Sequence, residues 1–396
     1  MTATAATLRL WLAEGSTGPF PFLPVVRELQ RTGKHCADVA LLDALAEVRT
    51  AVRAEQVADG DRMLRRFLDV ALDKHDDRHR YPSYTALSLF DLPSGADAGP
   101  AQRRADRLVV GLVGDVLRFE TAALAGRGAM LPRMRPGPDL VAKRCRHGLR
   151  VLSPALNRLG VARADLDAPR AVREAARVWV AGRRPVGPDP LRLSMLPVDT
   201  IHDEHLFIRV LQTFEVSFAL TAVRLHATVA ALDADDPGAA ARHLDTAATT
   251  FGETAPLFAL LATMRVEAFR TFRTFTDGAS AIQSDGYKTM ESLCRPPDPA
   301  RLASAAYDAV PEVRARVAAG VRTIDEAVDD LRRRGGTVYQ VHAAQERFAR
   351  AWTRWRHTHH RLAARMLGDV RGTGYTVGVP YLASVVDIPV FRGLPG

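Results

Sequence analysis

The chain has 396 residues, enough to bury a large core and to hold more than one folding unit. Its 47% hydrophobic content and mean hydropathy of −0.08 are typical of a globular protein and exclude an intrinsically disordered one. The net charge is +9, but no lysine–arginine tract interleaved with aromatic residues occurs, so nothing supports nucleic-acid binding.

The three cysteines, Cys36, Cys145 and Cys294, are far apart and form no CxxC pair. This pattern fits a reducing compartment and argues against zinc clusters, iron–sulfur centres, thiolate-bound haem and a disulfide framework. The first fifteen residues lack the basic-then-apolar layout of a signal peptide, and no apolar run reaches transmembrane length. We therefore expect a cytoplasmic protein with no membrane partner.

Apolar residues recur at steps of three and four along most of the chain, and no long strand-type alternation occurs. The pattern predicts an all-α fold. In the first half, helices are predicted over residues 41–52, 63–72, 104–124, 139–152 and 172–181. In the second half they are predicted over residues 203–232, 256–275, 298–319, 323–334 and 339–367.

A segment rich in proline and glycine, residues 182–197, interrupts this pattern just before a clear helix start. We take it as the domain boundary. It divides the chain into a helical N-terminal region, residues 1–190, of unknown role and a second helical domain, residues 197–396.

One histidine lies inside an apolar helical stripe near the C-terminus. The stripe comprises Phe348, Trp352, Trp355, His359, Leu362 and Met366, whereas His357 and His360 point elsewhere. An unpaired buried imidazole costs about 1–3 kcal/mol, so His359 needs a partner. A backbone carbonyl, a water or a metal would each satisfy it.

The helix from residue 203 carries a second apolar stripe, formed by Phe207, Leu211, Phe214, Phe218 and Leu225. Further along, Arg270 and Arg273 alternate with phenylalanines. An arginine among aromatic residues can bind the carboxylate of a ligand through a bidentate hydrogen bond, or it can form a structural ion pair with an aspartate or glutamate of the protein. The residue pattern leaves both roles open.

Four segments in this order resemble those of the tryptophan 2,3-dioxygenase superfamily, over residues 200–382. They read HDEHLFI at 202–208, QTFE at 212–215, FR…AS…QS…YK…E from 272 to 291, and WR…H…RMLG…GTG from 355 to 374. The resemblance implies an all-α haem domain in residues 197–396 that binds haem b and uses O2 on an aromatic amino acid. It also implies a homo-oligomer, either a dimer or a tetramer.

Carried over position by position, the resemblance assigns four roles. His359 corresponds to the axial ligand of the haem iron, in keeping with its apolar stripe. Arg273 corresponds to the arginine that binds the substrate carboxylate, and Thr373 to the threonine that contacts the amino-acid group. Phe207 corresponds to an aromatic residue of the ring pocket. No side chain is assigned a catalytic role beyond the haem iron.

The upstream sequence YPSY at residues 81–84, followed by Leu87 and Leu89, resembles the family's N-terminal TYGDYLxLxxLL segment. In the family, that segment reaches into the pocket of a neighbouring subunit. The resemblance therefore implies that Tyr81 and Tyr84 contact the substrate and that residues 81–90 act as a lid.

The chain departs from the family pattern at several pocket positions. Leu211 stands where the family has its distal histidine, Phe269 stands in place of a tyrosine, and Ser217 in place of a tryptophan. The glycine-rich loop reads GTGYTVG where the family has GTGGSSG. We expect Leu211 and Phe269 to line a more apolar pocket, which points to a related aromatic amino acid in specialised metabolism as much as to tryptophan itself.

The expected function is that of a haem-dependent oxidoreductase, a dioxygenase or monooxygenase that oxidises the ring of tryptophan or a related amino acid. One alternative is a peroxide-dependent hydroxylase or a ring-rearranging haem enzyme. Another is a non-catalytic haem sensor or a helical scaffold, against which the presence of Arg273 and Thr373 argues.

Three clusters have metal-ligand residue types, but each has a simpler interpretation. Residues 202–205, HDEH, lie where a helix N-terminus favours acidic groups. His357 and His359 point to opposite sides of one helix, and no H-x-x-x-H pair accompanies them. His75 and His79 have the right spacing, but they lie in a charge-dense run typical of a solvated face.

Overall fold

The computed structural model describes residues 2–16, 18–54, 62–78, 80–128, 130–161, 166–182, 187–276, 278–368, 370, 372 and 378–392. The regular secondary structure in these ranges is helical, and the one β-type contact among them is an isolated bridge between Arg133 and Ile201. The predicted all-α class is confirmed.

The N-terminal part forms a helical layer with its own apolar core, which includes Leu29, Leu45 and Phe67. Its helices are α1 (Ala3–Ala13), α2 (Phe22–Thr32), α3 (Val39–Arg53), α4 (Arg62–Ala71) and α5 (Tyr81–Tyr84). The short α5 leaves this layer and packs toward the rest of the molecule, so the layer fixes where Tyr81 and Tyr84 lie.

A central group of helices follows and shares one core with the C-terminal half. Its helices are α6 (Ala98–Leu124), α7 (Pro138–Arg158), α8 (Ala168–Ala181), α9 (Pro190–Leu193) and α10 (His202–Asp233). Close packing of α8 on α6 requires glycine, because a Cβ at Gly114 would lie 2.4 Å from Cβ of Ala175. Since Val113 of α6, Leu152 of α7 and Leu206 of α10 belong to one apolar cluster, that core spans the predicted boundary near residue 190. The division into two domains stays a prediction.

The C-terminal half consists of shorter helices around α10 and one long helix. They are α11 (Pro237–Gly252), α12 (Ala255–Leu261), α13 (Val266–Arg273), α14 (Asp285–Cys294), α15 (Pro299–Leu302), α16 (Ala305–Asp308), α17 (Pro311–Ala318), α18 (Ile324–Arg333), α19 (Tyr339–Leu367) and α20 (Val379–Val386). α19 packs against α11 and α20, and α10 packs against α6, α11 and α14.

Two predicted helices are interrupted. The segment 256–275 breaks between α12 and α13, where the Asp203 carboxylate accepts the Arg265 backbone N–H at 2.9 Å and so fixes the start of α13. The segment 298–319 forms three short helices, and the last begins at Pro311, whose ring lacks the N–H that a continuous helix needs.

Within the described ranges, α10 is the one helix whose length and composition would allow it to cross a membrane, contrary to our expectation that no apolar run is long enough. Of its most apolar stretch, 78% is buried inside the molecule. The apolar residues of α10 form part of the protein core, because other helices pack against α10 on several sides.

Candidate functional site

A cavity lies between α10, α13, α14, α19 and α20. Its volume is ≈ 260 Å³, on a measure by which a single water molecule needs roughly 10–15 Å³. Most of its wall is aliphatic or aromatic, with a few polar groups at particular places. Such a cavity suits a large, mainly apolar organic ligand.

One wall is the apolar face of α10. Phe207, Leu211, Phe214 and Phe218 line the cavity, following each other at steps of three and four as the sequence predicts. The ring of Phe207 lies 5.6 Å from that of Phe269 on α13, so two helices supply one aromatic corner.

The facing wall is α19, where Trp355, His359, Leu362 and Met366 line the cavity. The rings of Trp355 and His359 are 5.1 Å apart. Phe348 and Trp352, of the same predicted stripe, are buried one or two turns earlier and support this wall.

His359 presents a neutral imidazole to the cavity. Burial lowers its pKa to about 4, with a further contribution from neighbouring His360. Besides Trp355, the His359 ring lies near that of Phe258, with 6.3 Å between the ring centroids. A neutral, unprotonated nitrogen is the form that binds a metal, so this imidazole has the chemistry of an axial ligand.

Arg273 and Phe269 lie on α13 one turn apart, and both line the cavity. Burial lowers the pKa of the Arg273 guanidinium, which nevertheless stays charged at neutral pH. A charged guanidinium beside the rings of Phe207 and Phe269 can bind the carboxylate of an aromatic amino acid.

Tyr81 and Tyr84 are placed differently. Tyr81 lines the cavity, and its backbone N–H donates to Gln283 at 2.7 Å. Tyr84 lies behind Phe207, with 6.3 Å between ring centroids, and its hydroxyl donates to Glu204 at 3.3 Å. The segment also docks on α10, because the Gln212 amide donates to the carbonyl of Thr85 at 2.8 Å.

The buried carboxyl group of Glu215 lies in the cavity wall formed by α10, one turn after Leu211. It accepts a 3.0 Å hydrogen bond from the Tyr81 hydroxyl and another from Ser284. Burial raises its pKa to about 7, against the opposing effect of these hydrogen bonds. α14 approaches this carboxyl so closely that a Cβ at Gly286 would lie 2.9 Å from Oε2 of Glu215.

A charged cluster forms another part of the cavity wall. It consists of Tyr287, Lys288, Arg301, Arg356 and Tyr381, which line the cavity, and Glu291 behind them. Lys288 and Glu291 were visible in the sequence as an i, i+3 pair, but neither was assigned a role. Arg301 and Tyr381 carried no sequence signal, because packing of α15 and α20 brings them here.

Thr373 lies outside the described residues. Gly372 and Gly378, on either side of residues 373–377, line the cavity.

The metal-like clusters have structural roles where they are described. His202 lies 3.3 Å from Glu120 and His205 lies 3.2 Å from Asp115, and both imidazoles stack on Phe119. The neighbouring Asp203 pairs with buried Arg144 at 2.7 Å, and buried Glu204 accepts the backbone N–H groups of Val198 and Asp199 just before the helix begins. His79 lies outside the described residues. No group of three or more histidine, cysteine, aspartate or glutamate side chains suited to a metal occurs among those that are described.

Comparison with known proteins finds tryptophan 2,3-dioxygenases. The chain is 29% identical over 265 residues to that of Bradyrhizobium sp. (strain ORS 278), which covers 56% of this chain and 94% of the relative. It is 28% identical over 242 residues to that of Anaeromyxobacter sp. (strain K), covering 52% and 90% of the two chains. With that of Polaromonas naphthalenivorans (strain CJ2) it shares 26% identity over 242 residues, covering 51% and 85%. No protein-family model matches the chain.

Proposed function

The chain is a divergent member of the tryptophan 2,3-dioxygenase superfamily, and we propose that it is a haem-dependent oxygenase that oxidises the ring of tryptophan or a related aromatic amino acid with O2. The observation that carries the proposal is His359, a neutral imidazole that faces a large apolar cavity and shares it with the Arg273 guanidinium. Relatives of similar sequence are named as enzymes of this kind.

The cavity fits haem b in three respects. It is large, most of its wall is aliphatic or aromatic, and His359 offers a neutral imidazole at that wall. A porphyrin needs an apolar surface around its axial imidazole, which Trp355, Leu362 and Met366 supply. When bound there, haem supplies the iron that binds and activates O2.

The chain's own groups hold and orient the substrate. Arg273 binds its carboxylate, and Phe207, Leu211 and Phe269 enclose its aromatic ring. This places the ring between α10 and α13, and holding it in one orientation reduces the entropy that must be lost on reaction. The apolar Leu211 side chain provides no hydrogen bond to the ring, so shape and ring stacking determine which ring is accepted.

Spectroscopy and product mass test this proposal. We expect the purified protein to show a Soret band that shifts when one of a panel of aromatic amino acids is added to the ferric form. A product heavier by two oxygen atoms would indicate dioxygenation, and one heavier by a single oxygen would indicate monooxygenation. A protein that takes up no haem, or whose Soret band responds to no aromatic amino acid, would contradict the proposal.

A further inference from the structure

Three cations share a single carboxylate at the wall of the cavity. Glu291 lies 2.5 Å from Nζ of Lys288, 2.5 Å from Nη2 of Arg301 and 3.6 Å from Nη2 of Arg356. Burial alone would raise the pKa of Glu291, but the three cations outweigh it and hold the pKa at about 2. The carboxylate is therefore charged at neutral pH.

The cluster is not electrically balanced. Three positive side chains and one carboxylate leave an excess of two positive charges, and Glu291 is the one acid in ion-pair contact with them within the described ranges. The remaining contacts are neutral. Arg356 donates to the Tyr287 hydroxyl at 3.1 Å and to the carbonyl of Ile388, and Arg301 hydrogen-bonds to Tyr381.

The excess charge is buried but faces the cavity. Lys288 is 3% exposed and Arg356 is 5% exposed, and both line the cavity together with Arg301. Removing charged groups from water is costly unless opposite charges compensate, so an unbalanced pair of buried cations favours an anion beside them. Arginine forks are well matched to carboxylates.

We propose that Lys288, Arg301 and Arg356 bind the two propionate carboxylates of the haem. The inference rests on the proposed function, since it assumes a haem in the cavity. The excess of two charges matches two carboxylates, whereas an amino-acid substrate has a single carboxylate and an ammonium group that these cations would repel. Arg273, to which we assign the substrate carboxylate, lines the cavity from a different helix, α13.

The test compares haemin with haemin dimethyl ester, in which both propionates are uncharged. Each is titrated into the haem-free full-length protein, and binding is followed by the Soret band. We expect wild-type protein to bind haemin at least about tenfold more tightly than the ester, because charged hydrogen bonds are roughly twice as strong as neutral ones.

The variants Arg301→Gln and Lys288→Gln should weaken haemin binding and leave binding of the ester nearly unchanged. In each, Glu291 keeps its two other cationic partners, and Arg301→Lys should restore much of the preference. Arg365→Gln is the matched control, because Arg365 lies on α19 near the cavity but does not line it. Thermal melting of the haem-free variants reports any loss of folding.

The outcomes separate the two proposals. If the wild type binds neither porphyrin, the proposed function fails. If it binds both equally, or if the variants weaken both equally, haem binding stands but the propionate site is wrong. If the variants bind haemin normally but lose binding of an aromatic amino acid relative to its methyl ester, the cluster is a substrate-carboxylate site and the inference is overturned.

Discussion

The Tyr81 hydroxyl donates a 3.0 Å hydrogen bond to Glu215, joining the N-terminal layer to the central helix at the cavity wall. The two residues are 134 positions apart in the chain. The N-terminal layer therefore completes the cavity of its own chain. Two further hydrogen bonds connect residues 80–90 to the second half of the chain. The Tyr81 backbone N–H donates to the Gln283 side chain, and the Gln212 amide donates to the carbonyl of Thr85.

Glu215 makes the stability of the protein depend on pH. Burial raises its pKa from 4.5 to about 7, so the folded state prefers the protonated carboxyl. The stability that this preference contributes is fully present below pH 4.5 and is lost as the pH rises through about 7. A shift of this size corresponds to about 3 kcal/mol.

We therefore expect Glu215→Gln to lose less stability than the wild type between about pH 5 and pH 8, measured by urea unfolding. The difference between the two curves isolates Glu215 from other buried acids, such as Glu204, whose pKa burial raises to about 8. Glu346→Gln, on the exposed face of α19, should follow the wild-type curve. Parallel curves for wild type and Glu215→Gln would show that Glu215 is charged at neutral pH in the folded protein.

His359 should be required for haem retention. We expect His359→Ala to bind haem at least about tenfold more weakly, since even the loss of a group that hydrogen-bonds to a metal ligand costs about 10- to 100-fold in affinity. Added imidazole should restore much of the Soret band by occupying the vacated position. The control His357→Ala removes an exposed histidine two residues away on the same helix and should retain haem. Full haem content in His359→Ala would mean that another group ligates the iron.

Much of this architecture was predictable from the sequence because it depends on local pattern. The stripes of α10 and α19 follow from apolar residues at helical spacing, and the structure brings Phe207, Leu211 and His359 to one cavity. The sequence pattern predicted continuous helices over residues 256–275 and 298–319, and it did not show where the structure interrupts them. The first break depends on Asp203, more than sixty residues away, and that contact leaves no trace in the local spacing.

The charged cluster was not predictable, for a similar reason. Its cations come from α14, α15 and α19, and only their packing shows that they share Glu291. Tyr84 illustrates the opposite case. The resemblance implied that it contacts the substrate, whereas the structure places it behind Phe207, outside the cavity wall, with its hydroxyl donating to Glu204.

Arg273 should control substrate affinity without affecting haem. Loss of a charge-assisted pair costs about 1.5–3 kcal/mol, so we expect Arg273→Leu to raise the dissociation constant of the amino acid by roughly 10- to 150-fold. The Soret band of the substrate-free protein should be unchanged. Arg270→Leu, on the exposed side of the same helix, is the control. Unchanged affinity in Arg273→Leu would assign the carboxylate to another cation of the cavity.

Leu211→His tests how the ring is recognised. Wild type offers no hydrogen bond at this position, so we expect tryptophan and 1-methyltryptophan to bind with similar affinity. An imidazole here would face the ring from the wall formed with Phe207 and could accept a hydrogen bond from an indole N–H. A new hydrogen bond contributes about 1 kcal/mol, so the variant should favour tryptophan over its methylated form by about fivefold or more.

Difference spectroscopy of the Soret band with both ligands measures this preference, and Leu211→Met, which adds no nitrogen acceptor for the indole N–H, is the matched control. An equal preference in Leu211→His and Leu211→Met would mean that the ring nitrogen does not point toward α10. In that case the ring would be oriented by Phe269 and Arg273 on α13, and the departure at Leu211 would alter pocket volume and not hydrogen bonding.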